Sequence, residues 1–172
     1  MNNRKLYFLI FGLIVTSLVV NSCKKDKQTS IPTLFTTGTW ELASLQVYHY
    51  IGDSQISVDT LTCNSAQIFS FKLDMTCTYT NFDCNEQVAS GTWGLSDTKV
   101  YLLSDITLKD TAVVENKPVV NSIQPFSNAH IINIGYFSLV LETGDIQLYY
   151  TATQPRTIMR YGFIRQKPII TN

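Results

Sequence analysis

The chain has 172 residues, enough for one domain with a proper core and too few for two ordinary ones. It is 45% hydrophobic and only 15% charged, with 9 Tyr and 9 Phe, a composition that suits strands better than helices. Lys and Arg total 13 and Asp and Glu total 13, which excludes the basic balance of a nucleic-acid-binding protein.

Residues 1–22 read as a secretory signal peptide. Arg4 and Lys5 precede a stretch without charge from Leu6 to Ser22, ending in small residues. The run falls short of a membrane span of about 20 residues, so a single anchoring helix is the weaker alternative. The segment "VVNSC" resembles the lipobox of bacterial lipoproteins, with Val20 where Leu is usual and a polar Asn21. The resemblance implies that Cys23 is acylated and becomes the new N-terminus. Two or more acyl chains anchor stably, because each buried methylene contributes ~0.8 kcal/mol. Lys24 rather than Asp follows Cys23, which implies export to the outer membrane, on its periplasmic or its surface side. Loss of residues 1–22 removes Arg4 and Lys5 and no acid, leaving 11 basic against 13 acidic residues. The polar stretch "KKDKQTSIPTLF", with Pro32 and no apolar periodicity, extends the lipidated Cys23 into a flexible linker over 23–35. The folded domain is then 36–172.

That domain reads as all-β. Strands are expected at about 38–50, 54–60, 65–73, 76–82, 87–95, 99–106, 117–126, 129–136, 138–143, 145–152 and 157–166, with turns between many of them. "LVLETGDIQLYY" reads as a hairpin about Thr-Gly-Asp. Many short strands without intervening helices predict an antiparallel up-and-down barrel or a sandwich.

In the hairpin over 65–82, Phe69 and Phe71 alternate with polar residues, as do Cys77 and Tyr79. For both sets to share a face, Phe71 must lie opposite Cys77 or Tyr79, which needs a turn of three or more residues around Asp74 and Met75. That register brings Cys63 near Cys84. Cys77 and Cys84 would be ~23 Å apart along one strand, beyond the ~7 Å between Cα atoms that a disulfide tolerates. The predicted disulfide is therefore Cys63–Cys84, with Cys77 a buried free thiol.

Both tryptophans lie in G-T-W-x-L phrases, "GTWELASL" and "GTWGLSDT". The first resembles the G-x-W signature of lipocalins and the wider calycin group. The stretch "FSFKLDMTCTYTNFDC" followed by "ASGTWGLSDTKVYLL" is similar to the lipocalin-like domains on lipoproteins of Bacteroidetes-type bacteria. Met75, where a turn Gly is common, and Cys77, where an aromatic is common, depart from that pattern. The resemblance implies a lipocalin-like barrel closed at one end by Gly38 and Trp40. It also implies an arginine from the last strand across Trp40, Arg165 first and Arg160 second. Expected cavity residues are Phe69, Phe71, Tyr79, Trp93 and Tyr101.

Catalytic signals are missing. His49 and His130 are far apart, acids scatter over turns and strand ends, and there is no nucleophile elbow, phosphate loop or metal-ligand spacing. No catalytic residue, metal or cofactor is expected. Asp59-Thr60-Leu61 and Asp110-Thr111-Ala112 resemble the O-glycosylation tripeptide of the same bacteria, with Thr60 and Thr111 as acceptors. Two functions are expected of such a lipoprotein. Its barrel holds a small hydrophobic ligand, or its barrel is filled and its loops, 105–128 above all, bind a protein or a glycan. An enclosed apolar cavity of roughly 300 Å³ or more would favour the first.

Overall fold

The computed structural model describes residues 30–114, 117–146 and 149–166. The expected signal peptide, Cys23 and the tether through residue 29 lie outside the described residues.

Folding begins before the expected boundary. Helix α1 (Ile31–Thr36) occupies the end of the segment read as linker. Ser30 caps it by accepting from the Thr33 N–H, and Pro32 sits in its first turn, where a missing N–H costs no bond. Six residues hold no helix by propensity alone. Burial of Leu34 and Phe35 holds this one, with Phe35 fully buried in the core. Residues 31–35 therefore belong to the folded unit and not to the linker expected over 23–35.

The rest is β: β1 (Thr39–Ile51), β2 (Ser54–Leu61), β3 (Ile68–Phe71), β4 (Thr76–Thr80), β5 (Val88–Leu95), β6 (Tyr101–Ser104), β7 (Leu108–Val114), β8 (Lys117–Ile123), β9 (Ala129–Ile134), β10 (Ser138–Gly144) and β11 (Pro155–Arg165). Eight of them close an antiparallel barrel in the order β1, β3, β4, β5, β6, β9, β10, β11 and back to β1. The closing seam is long, running from Trp40 opposite Arg165 to Ile51 opposite Pro155. A bulge between Leu42 and Ser44 interrupts it. The second edge of β1 is divided. Its first residues pair β3, and from Leu45 onward it pairs β2. Strand β2 hangs outside the barrel wall, exposed along its whole length.

The register of β3 and β4 matches the pattern of alternation. Phe71 faces Cys77 and Phe69 faces Tyr79. The turn is wide, with Lys72 and Thr76 paired across it and Met75 in the left-handed region at φ 64°. The Asp74 carboxylate holds the turn by accepting from the Thr76 N–H and hydroxyl. Strand β3 starts at Ile68 rather than 65. Cys63 and Cys84 therefore meet between a loop and the short 3-10 turn Phe82–Cys84, not along an extended hairpin, and they form the disulfide with Cα atoms 5.3 Å apart.

Two expectations fail. The excursion 105–128 is not an open loop: β7 and β8 form their own two-stranded sheet. Gln87 docks β7, donating to the Lys109 carbonyl and accepting from the Lys109 N–H. No strand is present among the described residues of 145–152, where the second arm of the 139–150 hairpin was expected. Both edges of β10 are taken, by β9 and by β11, so no edge remains for a returning strand. The chain instead leaves β10 at Gly144 (φ 89°), and the Asp145 carboxylate accepts from the Thr157 N–H. Tyr150 and Gln154 lie against the β1–β2 turn, the Gln154 carbonyl accepting from the Gly52 N–H. There the Arg156 guanidinium sits 3.4 Å from the Tyr150 ring centroid and donates to the Gly52 carbonyl. The Tyr150 hydroxyl donates to Asp53.

Candidate functional site

The base of the barrel is built around the first G-T-W. Gly38 has φ 154°, a conformation close to glycine-only, and a Cβ there would stand 3.2 Å from Arg165 Cδ. Trp40 is fully buried, and its indole N–H donates to the Phe35 carbonyl at 3.0 Å. The Arg165 guanidinium lies 4.5 Å over the Trp40 ring, with Nη2 donating to the Leu34 carbonyl. Burial pulls its pKa down from the usual arginine value. Arg160, the second choice, stands on the outer wall instead. It pairs with Glu142 at 2.6 Å and donates to the Tyr48 hydroxyl.

The second G-T-W meets the same plug from the far wall. The Trp93 indole N–H donates to the Lys72 carbonyl, and its ring lies 5.4 Å from Phe35. Gly91 has a different task. A Cβ there would come within 2.8 Å of Ile106 Cα, so only glycine lets the chain leaving β6 cross β5 so closely. Asp105 fixes the crossing by accepting from the Thr92 N–H and hydroxyl, contacts that lower its pKa.

Four of the five expected cavity residues point inward, but they are packed on one another. Phe69, Phe71, Tyr79 and Trp93 are all buried. Phe69 lies 4.1 Å from Phe71, 5.0 Å from Tyr79 and 4.9 Å from Phe126 between ring centroids. Phe126 also contacts Tyr161 at 5.1 Å. Phe126, Ile106 and Leu108, each fully buried, come from the 105–128 segment, which folds back to fill the barrel. None of these three was among the expected cavity residues: Ile106 and Phe126 fall at the very ends of the strands expected at 99–106 and 117–126, and Leu108 falls between those strands. The Tyr79 hydroxyl donates to buried Gln67, whose amide N–H meets Cys63 Sγ. Burial pushes the Tyr79 pKa well up. Cys77 is buried and free, bonded to the Ser104 hydroxyl, and burial raises its pKa, which keeps the thiol protonated and unreactive.

Tyr101 departs from the group. It is half-buried, its ring 5.1 Å from His130, and lines an open cleft of about 550 Å³ with Ile123, Ile146 and Met159. A second open cleft of about 350 Å³ occupies the fork where β2 and β3 part from β1, lined by Leu42, Leu61, Cys63 and Gln67. His49 contacts Asp59 at 3.1 Å on the exposed arm, remote from His130. Thr60 on β2 and Thr111 on β7 are both exposed. Among the described residues no group of three His, Cys, Asp or Glu is placed to hold a metal, and no helix is long and apolar enough to cross a membrane.

No protein-family model, no curated protein and no solved structure matches the chain.

Proposed function

We propose that this chain is a lipid-anchored accessory protein of the bacterial outer membrane, lipocalin-like in build and non-enzymatic. Its barrel is a filled scaffold, and its outer elements bind a protein or a glycan. The observation that carries this reading is the interior: Phe69, Tyr79, Phe126 and Tyr161 stack where a ligand would sit. The anchor rests on the sequence around Cys23. The binding elements are the exposed β1–β2 arm and the docked β7–β8 sheet, which stand away from the base where the tether enters.

For a small apolar ligand, the larger of the two clefts described, beside Tyr101, Ile123 and Met159, is the better place. Native mass spectrometry of protein purified from its own host tests the choice. A filled scaffold yields only the acylated chain mass or a protein or glycan adduct. A co-purified small apolar molecule, lost on Met159→Gln, would favour the ligand carrier. Changing Cys23 to Ala releases the chain from the membrane fraction if the anchor is real.

A further inference from the structure

The strand directions place three turns at one end of the barrel. Strand β3 runs down to the turn 72–75, β5 runs down to 96–100, and β9 runs down to 135–137. The start of β1 and the end of β11 lie at this same end, and α1 crosses it. The tips are apolar and exposed: Leu73 at 84%, Met75 at 49%, Tyr136 at 57% and Phe137 at 75%. Met75 holds its side chain outward from a left-handed backbone, a conformation that disfavours any residue but glycine and asparagine. Lys72 and Lys99 are exposed on the same turns, with Asp74 and Asp97 beside them. The Asp74 charge is already engaged by Thr76, which lowers its pKa.

We propose that this base is a lipid-contacting rim, in which Leu73, Met75, Tyr136 and Phe137 seat the barrel on the phospholipid surface that holds the acylated Cys23. The proposal rests on the lipid-anchor reading above. The chain outside the structure argues for it. Only residues 24–29 separate Cys23 from the Ser30 cap. Even fully extended, that stretch spans at most ~25 Å. The end of the barrel that carries α1 is thus the end held against the bilayer. Tyrosine and phenylalanine side chains suit the interface, and lysines beside them meet anionic headgroups. Ile56 is as exposed, at 61%, but on the β2 arm near the opposite end, where the tether does not reach.

The test uses the full acylated chain in phosphatidylethanolamine–phosphatidylglycerol vesicles. An environment-sensitive fluorophore is placed in turn on Leu73→Cys, Phe137→Cys and Ile56→Cys. Brominated-acyl phospholipid then reports contact with the membrane. The expected result is a blue shift and quenching at 73 and 137, with no change at 56. If the chain floats with the vesicles while 73 and 137 stay unquenched, the rim is overturned and the anchor stands. Equal quenching at all three sites also overturns it, because the barrel then lies on its side. A chain that does not float at all removes both.

Discussion

The rings of Phe35 and Trp93 lie 5.4 Å apart, one from a six-residue helix ahead of the barrel and the other from the middle of its wall. Phe35 also meets Phe71 edge-on at 4.9 Å, and its carbonyl takes the Trp40 N–H. One phenylalanine thereby joins both G-T-W phrases. Phe35→Ala should cost about 3–5 kcal/mol, the usual cost of emptying a large buried aromatic site. The urea midpoint measures that loss, and tryptophan emission should shift red in the native state. An unchanged midpoint would mean that α1 is not part of the folded unit.

Arg165 does two things at once, covering Trp40 and tying down α1 through the Leu34 carbonyl. Arg165→Ala should destabilise by about 1–2 kcal/mol, combining a partly desolvated cation–π contact with a lost hydrogen bond. Arg165→Lys should recover only part of it, since an ammonium has no fork to span both partners. Thermal unfolding of the three proteins orders them.

The Cys63–Cys84 disulfide ties residues 21 apart in sequence. Replacing both cysteines with Ser should cost ~3 kcal/mol in the loop-entropy picture. Cys77→Ser should be unaffected by added reductant beyond what the parent shows, because Cys77 is not in the bridge. Peptide mass mapping with and without reduction checks the pairing.

Asp83 is pushed up to about 6 by burial and by the neighbouring Asp110 carboxyl. The unfolded chain releases that proton near 3.8, so between roughly pH 4 and 6 the folded state binds more protons than the unfolded one. Stability from this pair is therefore full at low pH and lost as pH rises through 6. Asp74 and Asp105 act oppositely, their lowered pKa values giving stability that is lost as pH falls below about 4. Unfolding midpoints measured from pH 3 to 8 should peak on the acid side. Asp110→Asn should flatten the fall between pH 4 and 6.

Gly91→Ala should displace the 105–106 crossing, since its methyl would meet the Ile106 backbone. Ile106, Leu108 and Phe126 would then pack less well in the barrel. The expected outcome is a lower unfolding temperature and faster amide exchange in β7. Gly94→Ala is the control, as a Cβ there meets nothing.

The β3–β4 register and the disulfide were legible because alternation narrows the residue facing Phe71 to Cys77 or Tyr79, and either choice keeps Cys77 away from the other two cysteines. The Gly38–Trp40–Arg165 cluster was legible because a short motif marked it. Helix α1 was hidden because "IPTLFT" has neither the length nor the propensity of a helix, and what stabilises it is the burial of Phe35 in strands far along the chain. The strand expected at 145–152 had sound alternation, but edge occupancy is a property of the whole sheet and no local window contains it. The filled interior was missed for a related reason. Phe126 closes the strand expected at 117–126 but lies beyond the end of β8, in the turn before β9, and the return of that turn into the barrel is set by contacts remote in sequence.

The seam between β1 and β11 also decides how the molecule carries load. A pull on the chain ahead of Ser30 first meets the Ser30 cap, the Trp40 bond to Phe35 and the Arg165 tie to Leu34. Beyond them the force runs along the axis of β1, so the long β1–β11 ladder is stressed in shear, with many hydrogen bonds resisting together rather than parting one after another. The β1–β11 ladder thus resists a pull applied along β1 as a single unit.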